Sequence, residues 1–196
     1  MSDYSSTDTQ ARHYSSVDVS CPQCQKSASI IQIPQTIPLF GEIILQTIVC
    51  THCGFKWSDV MSVEMNEPAG YEAKIESAKD LEIKLVRNSS GTVEIPELGV
   101  VLEPASLSEG FFTNMEGLLE RVENVLAMII RSGTPEQKKE TKKILALLEK
   151  CKAGKHPFTV RVLDPFGGSA LIGENVRRFK LSKGQLGKLK KGSFFL

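Results

Sequence analysis

The chain has 196 residues, enough for one compact domain with a small satellite or for two small domains side by side. With 41% hydrophobic and 24% charged side chains it has the composition of soluble globular proteins, which excludes disorder along its whole length. Its 24 basic and 23 acidic side chains nearly cancel, which excludes a global field of the kind that concentrates a protein on nucleic acid or anionic membrane; any such contact has to be local.

Residues 1–18 read as a disordered tail of Ser, Thr and Asp with scattered apolar positions, His13 among them. The opening stretch lacks the apolar centre of a secretory signal, so the expected location is cytoplasmic. The longest aliphatic stretch, Ile43 to Val49, is interrupted by Gln46 and Thr47. It falls far short of the roughly 20 apolar residues that cross a bilayer, and no membrane partner is expected.

Residues 19–66 carry the strongest signal. Four of the five cysteines form two Cys-x-x-Cys units, Cys21-Pro-Gln-Cys24 and Cys50-Thr-His-Cys53. In a reducing compartment such pairs are better explained by metal than by disulfides. Thiolates are soft donors, and zinc accepts four of them tetrahedrally with no redox change. Pro22 presets the first turn, and Gly54 permits the backbone geometry that brings amides toward a sulfur. A thioredoxin-like redox pair would account for one unit, not two, and no βαβ context surrounds either. Spacing alone does not distinguish zinc from iron, because tetrahedral thiolate coordination serves both. His52 lies inside the second knuckle, but four thiolates already close a tetrahedron. One structural Zn2+ held by Cys21, Cys24, Cys50 and Cys53, with no open position for activating water, is the expectation. Ser29–Ile33, Glu42–Val49 and Phe55–Met61 are short β-branched runs that read as the strands of this ribbon.

Residues 67–112 and 155–196 read as a β domain. Leu81, Ile83 and Leu85 alternate with charged residues as in a strand with one buried face, and Val93–Ile95 and Leu98–Leu102 follow around Pro96. Phe158, Val160 and Val162 alternate in a later strand that ends in Asp164-Pro165-Phe166-Gly167-Gly168, a turn signal, with Ser169–Ile172 expected as its hairpin partner. Between these blocks, residues 113–154 change period. Met115, Leu118, Leu119, Val122, Val125, Leu126, Ile129 and Ile130 make a stripe at helical spacing, with Thr113 and Glu116 as a capping-box signature. Gly133 ends this helix, and Thr134-Pro135-Glu136-Gln137 starts another, in which Ile144, Leu148 and Cys151 share a face. The short connection dictates an antiparallel helical hairpin. Cys151 reads as a buried apolar side chain rather than a reactive thiol. Glu116, Glu120 and Glu123 on one helix and Lys138, Lys139, Lys142 and Lys143 on the other offer complementary charge.

The sequence resembles a single module of the ZPR zinc-finger family, whose eukaryotic members have two tandem modules and whose archaeal members have one. The resemblance rests on Cys21-Pro-x-Cys24, Ile33-Pro-x-x-Ile37-Pro-x-Phe40, Cys50-x-His-Cys53-Gly54, Ser89-x-x-x-Val93-x-Ile95-Pro96-Glu97-Leu98, Gly110-x-Phe112-Thr113-x-x-Glu116-Gly117 and Asp164-Pro165-x-Gly167-x-Ser169, in family order. It implies an α+β, mainly β fold: a zinc ribbon followed by a double-stranded β-helix-like, or jelly-roll-like, domain with an inserted α-helical hairpin. It also implies binding to the elongation factor 1-alpha GTPase of translation, with a chaperone role in its folding.

Three classes of function compete. In a protein-binding module, Phe40, Phe55 and Trp57 are candidates for an apolar contact, although a small ribbon needs such residues for its own core. The ribbon's Lys26 and Lys56 cancel Glu42 and Asp59, and four thiolates around a dication add negative charge, which disfavours phosphate. Nucleic-acid binding would use Arg177, Arg178, Lys180, Lys183, Lys188, Lys190 and Lys191, with only Glu174 nearby and no interleaved aromatics, since Phe194 and Phe195 come after the patch. An enzyme is the weakest reading: no phosphate loop, nucleophile elbow or helix-borne His-Glu zinc motif is present, and no small-molecule substrate is identified. His52 and His156 fall in a knuckle and a loop, and Asp164 precedes a proline, where Asp normally stabilises a turn.

Overall fold

In the computed structural model, which describes residues 15–37, 41–63, 67–105 and 108–190, the first alternating runs pair into a four-stranded antiparallel sheet. Its strands are β1 (Ser15–Ser20), β2 (Ser27–Ile37), β3 (Gly41–Val49) and β4 (Lys56–Ser62), in that order. Directly opposed residues share a face, so Ile30, Ile48 and Trp57 lie on one side and Ile33, Leu45 and Val60 on the other. The expected tail ends earlier than residue 18, because Ser15 to Ser20 pair with Gln32 to Ser27 and place Val17 and Val19 opposite Ile30 and Ala28. His13 and Phe40 lie outside the described residues. β2 also runs past Pro34, which was expected to bound it. Pro34 faces Ile44 of β3, within the β2–β3 ladder that continues to Ile37.

The second body is built from β5 (Ala69–Ile75), β6 (Lys84–Arg87), β7 (Thr92–Ile95), β8 (Val100–Leu102), β9 (Phe111–Asn114), β10 (Phe158–Asp164), β11 (Ala170–Ile172) and β12 (Val176–Lys180). They form a five-stranded sheet in the order β12-β5-β10-β7-β8 and a three-stranded sheet in the order β11-β6-β9. Between them lies a core that includes Leu85, Val93, Ile95, Phe158, Val160, Val162 and Leu171. The ribbon sheet, the two sheets of the second body and the helices described below together make the mainly β, α+β fold that the resemblance implies.

Two strand expectations change. Ala78–Glu82 is a 3₁₀ turn, not the start of a strand, because the Asp80 carboxylate accepts the Glu76 and Ser77 amides and the Ser77 hydroxyl and so curls the chain locally. Residues Ala170–Ile172 are not the hairpin partner of β10. Both edges of β10 are taken by β5 and β7, and the Asp164 turn carries the chain across to β6 in the other sheet.

The helical stripe becomes α1 (Met115–Ser132), and the second cap opens α2 (Pro135–Lys152). Leu118, Leu119, Val122 and Leu126 of α1 are buried with Leu148 and Cys151 of α2. The cap of α1 is Asn114, one residue later than the expected Thr113; as the last residue of β9 it has extended backbone, and its side chain accepts from the Gly117 amide at 2.9 Å. Thr134 caps α2 with Gln137 as expected. Burial pushes the Cys151 thiol up, as suits an inert core position. Of the complementary helix charges only Glu123 finds a partner across the hairpin, and that partner is Lys152.

The outer face of the five-stranded sheet carries a charge ladder. Arg177 of β12, Glu72 of β5, Arg161 of β10 and Glu94 of β7 stand in register, with Glu72 accepting from Arg177 at 2.8 Å and from Arg161 at 2.7 Å. These bonds, from Arg177 first and then Arg161, hold the Glu72 carboxyl below its ordinary range. A carboxylate lowered in the folded state stabilises above its unfolded value and stops doing so as the pH falls through the folded one. Glu72→Gln is therefore expected to cost up to about 1 kcal/mol in urea unfolding, since exposed arginines weaken the pairs. The gap from wild type should be complete well above the ordinary value of 4.5 and close as the pH falls past it. A pH-independent gap would assign the loss to packing. The last helix among the described residues is α3 (Lys183–Leu186), capped by Ser182. No helix among the described residues is long and apolar enough to cross a membrane.

Candidate metal centre

Each cysteine pair sits on a tight turn at one end of the ribbon sheet. In the first, the Cys21 amide donates to Lys26 O and the Gln25 amide to Cys21 O; in the second, the Cys50 amide donates to Phe55 O and the Gly54 amide to Cys50 O. The residue after each second cysteine is left-handed, Gly54 at φ 75° and Gln25 at φ 61°. Glycine takes that conformation without strain, whereas Gln25 adopts it at a cost of about 1–2 kcal/mol that the knuckle has to offset.

The two turns aim four sulfurs at one point. Cys21 Sγ lies 3.7 Å from Cys53 Sγ, Cys24 Sγ lies 3.7 Å from Cys50 Sγ, and all four fall within 4.8 Å of one another. A tetrahedron with zinc–sulfur bonds of about 2.3 Å has edges of about 3.8 Å, so the cluster has the size of a zinc site. Among the described residues it is the only grouping of this kind. Cys21 and Cys50 are buried, and Cys53 is exposed.

Backbone amides supply part of the electrostatics. The Cys53 amide, and with it that of His52, outweighs burial and holds the Cys50 thiol down at about 6. At Cys53 the Phe55 amide also pulls down, but burial and the sulfurs of Cys24, Cys50 and Cys21 prevail and push it up to about 12. Four adjacent sulfurs cannot all ionise against one another, and a dication removes that conflict. His52 contributes its backbone amide to this arrangement, and its exposed ring is not in the cluster.

Trp57 is buried at 5% exposure among Cys21, Ala28, Ile48 and Cys50, with Phe55 packed beside them. Both aromatics therefore serve the ribbon core. The C-terminal basic residues are less free than their spacing suggests, because the fold brings acids from elsewhere: Lys180 meets Glu67, Arg177 meets Glu72 and Lys190 meets Glu103. Lys191, Phe194 and Phe195 lie outside the described residues.

A second polar cluster escaped the sequence reading. The Asp164 carboxylate, fully buried, accepts from the Ser90 hydroxyl at 2.9 Å, the Ser169 hydroxyl at 2.6 Å and the Phe166 amide at 2.8 Å. The turn role expected of Asp164 is the last of these alone. Nearby, Arg87 is 3% exposed and donates to Gly91 O, Glu109 O and the Ser108 hydroxyl. The signal was present in the recurrence of Ser, Asn, Asp and Gly at 88–91 and 164–169, but residues more than 70 positions apart had to be brought together to reveal it.

Residues 15–68 match the family model of the ZPR1 zinc-finger domain, and residues 79–181 that of the ZPR1 jelly-roll domain. An uncharacterized ZPR1-like protein of Pyrococcus horikoshii is 44% identical over 182 residues, covering 90% of this chain and 82% of the relative. Another, from Methanocaldococcus jannaschii, is 44% identical over 175 residues, 88% of each chain. The zinc finger chaperone zpr1 of Schizosaccharomyces pombe is 32% identical over 158 residues, which are 77% of this chain but 34% of that protein. With the zinc-finger match laid over them, the four cysteines are positioned to bind one zinc ion.

Proposed function

The chain belongs to the ZPR1 family, and from that membership we propose that it is a non-catalytic, cytoplasmic protein-binding module in which Cys21, Cys24, Cys50 and Cys53 hold one structural zinc ion. Its partner in this reading is the elongation factor 1-alpha GTPase of translation, which it binds or chaperones. The observation that carries the reading is the closed set of four thiols packed on its own small core. Zinc with four protein sulfurs has no position left for water or substrate, so its role is to order a surface. The fission-yeast relative is named a zinc finger chaperone, which supports a protein as the thing recognised. The motif resemblance supplies the identity of the GTPase.

The competing reading, RNA held by the basic C-terminal segment, is weakened by the ion pairs to Glu67, Glu72 and Glu103. Affinity capture from a matching lysate separates the two. Intact protein is expected to carry about one zinc per chain and to enrich elongation factor 1-alpha, and Cys50→Ser to lose both. Capture of other proteins without the GTPase would overturn the partner assignment. Nucleic acid whose retention falls steeply with added salt would favour the competing reading.

A further inference from the structure

One short strand joins the second knuckle to the jelly roll. It leaves Cys53 and within seven residues places Trp57, Asp59 and Val60 against the other body. The Trp57 ring packs with Cys21 and Cys50, while its indole N–H donates to the Ser108 carbonyl at 3.2 Å. One side chain thus touches both the sulfur cluster and a jelly-roll loop. Two residues on, the Asp59 carboxylate accepts the Ser89 amide at 3.0 Å and the Ser89 hydroxyl at 2.7 Å. Between them the Ser58 carbonyl accepts the Gly110 amide at 3.2 Å. Nothing larger than glycine fits there, because a Cβ on Gly110 would stand 2.1 Å from the Asp59 carboxylate and 2.5 Å from the Val60 nitrogen. Val60 itself packs on Val86 of β6.

The loops gripped in this way are those that hold the buried polar cluster. Ser108 and Glu109 anchor Arg87, and Ser89 adjoins Ser90, which bonds to Asp164. We propose that β4 is a relay through which metal occupancy at the four cysteines sets the order of jelly-roll loops 88–91 and 108–110, with Trp57 and Asp59 as the coupling residues. The relay rests on zinc at the thiols but not on which macromolecule is bound. With the ion in place, Cys50 and Cys53 are fixed, so Trp57 and Asp59 are held at the junction. Without it the small cluster around Trp57 loses its centre, and the Ser89 and Gly110 amides and the Ser108 carbonyl lose their partners to water. The jelly-roll core around Val160, Val162 and Leu118 is a separate cluster and stays packed. Coupling of this kind is reciprocal, so weakening the junction weakens the hold on the metal.

Hydrogen exchange on the full chain, with zinc and after EDTA treatment, tests the relay. The Ser89 and Gly110 amides are expected to lose protection by about tenfold or more while those of Val160 and Val162 hold, within the roughly five- to hundredfold range of energetic coupling between sites. Trp57, the sole tryptophan, should shift its emission to the red in the same samples. In the reciprocal arm, Asp59→Asn and Ser89→Ala should each speed transfer of zinc to a chromophoric chelator by about fivefold or more, and Glu72→Gln on the far sheet should not. The relay is overturned if the Ser89 and Gly110 amides keep their protection without metal, if β10 loses protection in step with them, or if both junction variants release zinc at the wild-type rate. None of these readings requires the translation factor, so failure of the partner assignment would leave them untouched.

Discussion

Stripping the metal, or changing Cys50 to serine, should unfold the ribbon while the jelly roll keeps its cooperative thermal transition. The ribbon's own buried cluster under the knuckles is Cys21, Ala28, Ile48, Cys50 and Trp57, of which two members are metal-site thiols. Apparent affinities of roughly 10–16 kcal/mol in small zinc peptides exceed what so few side chains contribute by burial, at about 1.5–3 kcal/mol each. Calorimetry of the EDTA-treated chain should therefore retain one transition from the jelly-roll core, and circular dichroism should show loss of strand content. A ribbon that remains folded without metal would refute the structural role of the ion. Acid should act in the same direction as chelator. Without metal the Cys53 thiol, at about 12, is protonated at neutral pH, whereas Cys50, at about 6, is largely ionised. Zinc binding must then displace protons, so affinity rises with pH and falls on acidification. Proton release on zinc addition in weakly buffered solution checks the sign.

The second large effect is expected at Asp164. Asp164→Ala removes the acceptor shared by Ser90, Ser169 and the Phe166 amide, all beside Arg87. The Ser90 hydroxyl is then left with the Asn88 side-chain oxygen at 3.4 Å, and the Ser169 hydroxyl still accepts the Asn88 amide but has lost the acceptor for its own proton. The Arg87 guanidinium, which burial already pushes below its ordinary range, also loses one of the two carboxylates that favour its charge. Each orphaned buried group costs about 1–3 kcal/mol, and breaking a buried charged network about 3–5 kcal/mol, so a loss of about 3–5 kcal/mol is expected. That is a large part of the roughly 5–15 kcal/mol by which domains are stable. The loops are closely packed around these groups, since a Cβ on Gly91 would fall 2.4 Å from the Ser169 hydroxyl and one on Gly168 would fall 2.8 Å from the Asn88 side-chain nitrogen. Ser169→Ala, which removes a donor to Asp164 and the acceptor of the Asn88 amide, should cost about 1–3 kcal/mol. Urea unfolding of both variants measures these values, and a loss under about 1 kcal/mol for Asp164→Ala would show that water replaces the carboxylate freely.

The sequence by itself determined what is local. Although the pairing of β2 with β3 is what brings the two sulfur pairs together, Cys21 to Cys53 across 32 positions and Cys24 to Cys50 across 26, each Cys-x-x-Cys turn fixes its own pair within four residues. The helices were legible for the same reason, since a 3.6-residue stripe and the Thr134 cap act through bonds three or four positions apart. Tertiary structure alone decided the pairings. β10 joins β5 and β7 rather than its neighbour in sequence, Glu72 meets Arg177 across 105 positions, and Asp59 finds Ser89 across 30. Strand alternation says which face is buried but not which edge is adjacent, because every β-branched run offers the same backbone donors and acceptors. The choice falls to the packing of whole sheets. The expected tail and the expected hairpin after Asp164 changed for that reason, and Arg177, Lys180 and Lys190 of the basic segment met acids from elsewhere, whereas each Cys-x-x-Cys turn, closed by its own backbone bonds, formed where the spacing put it.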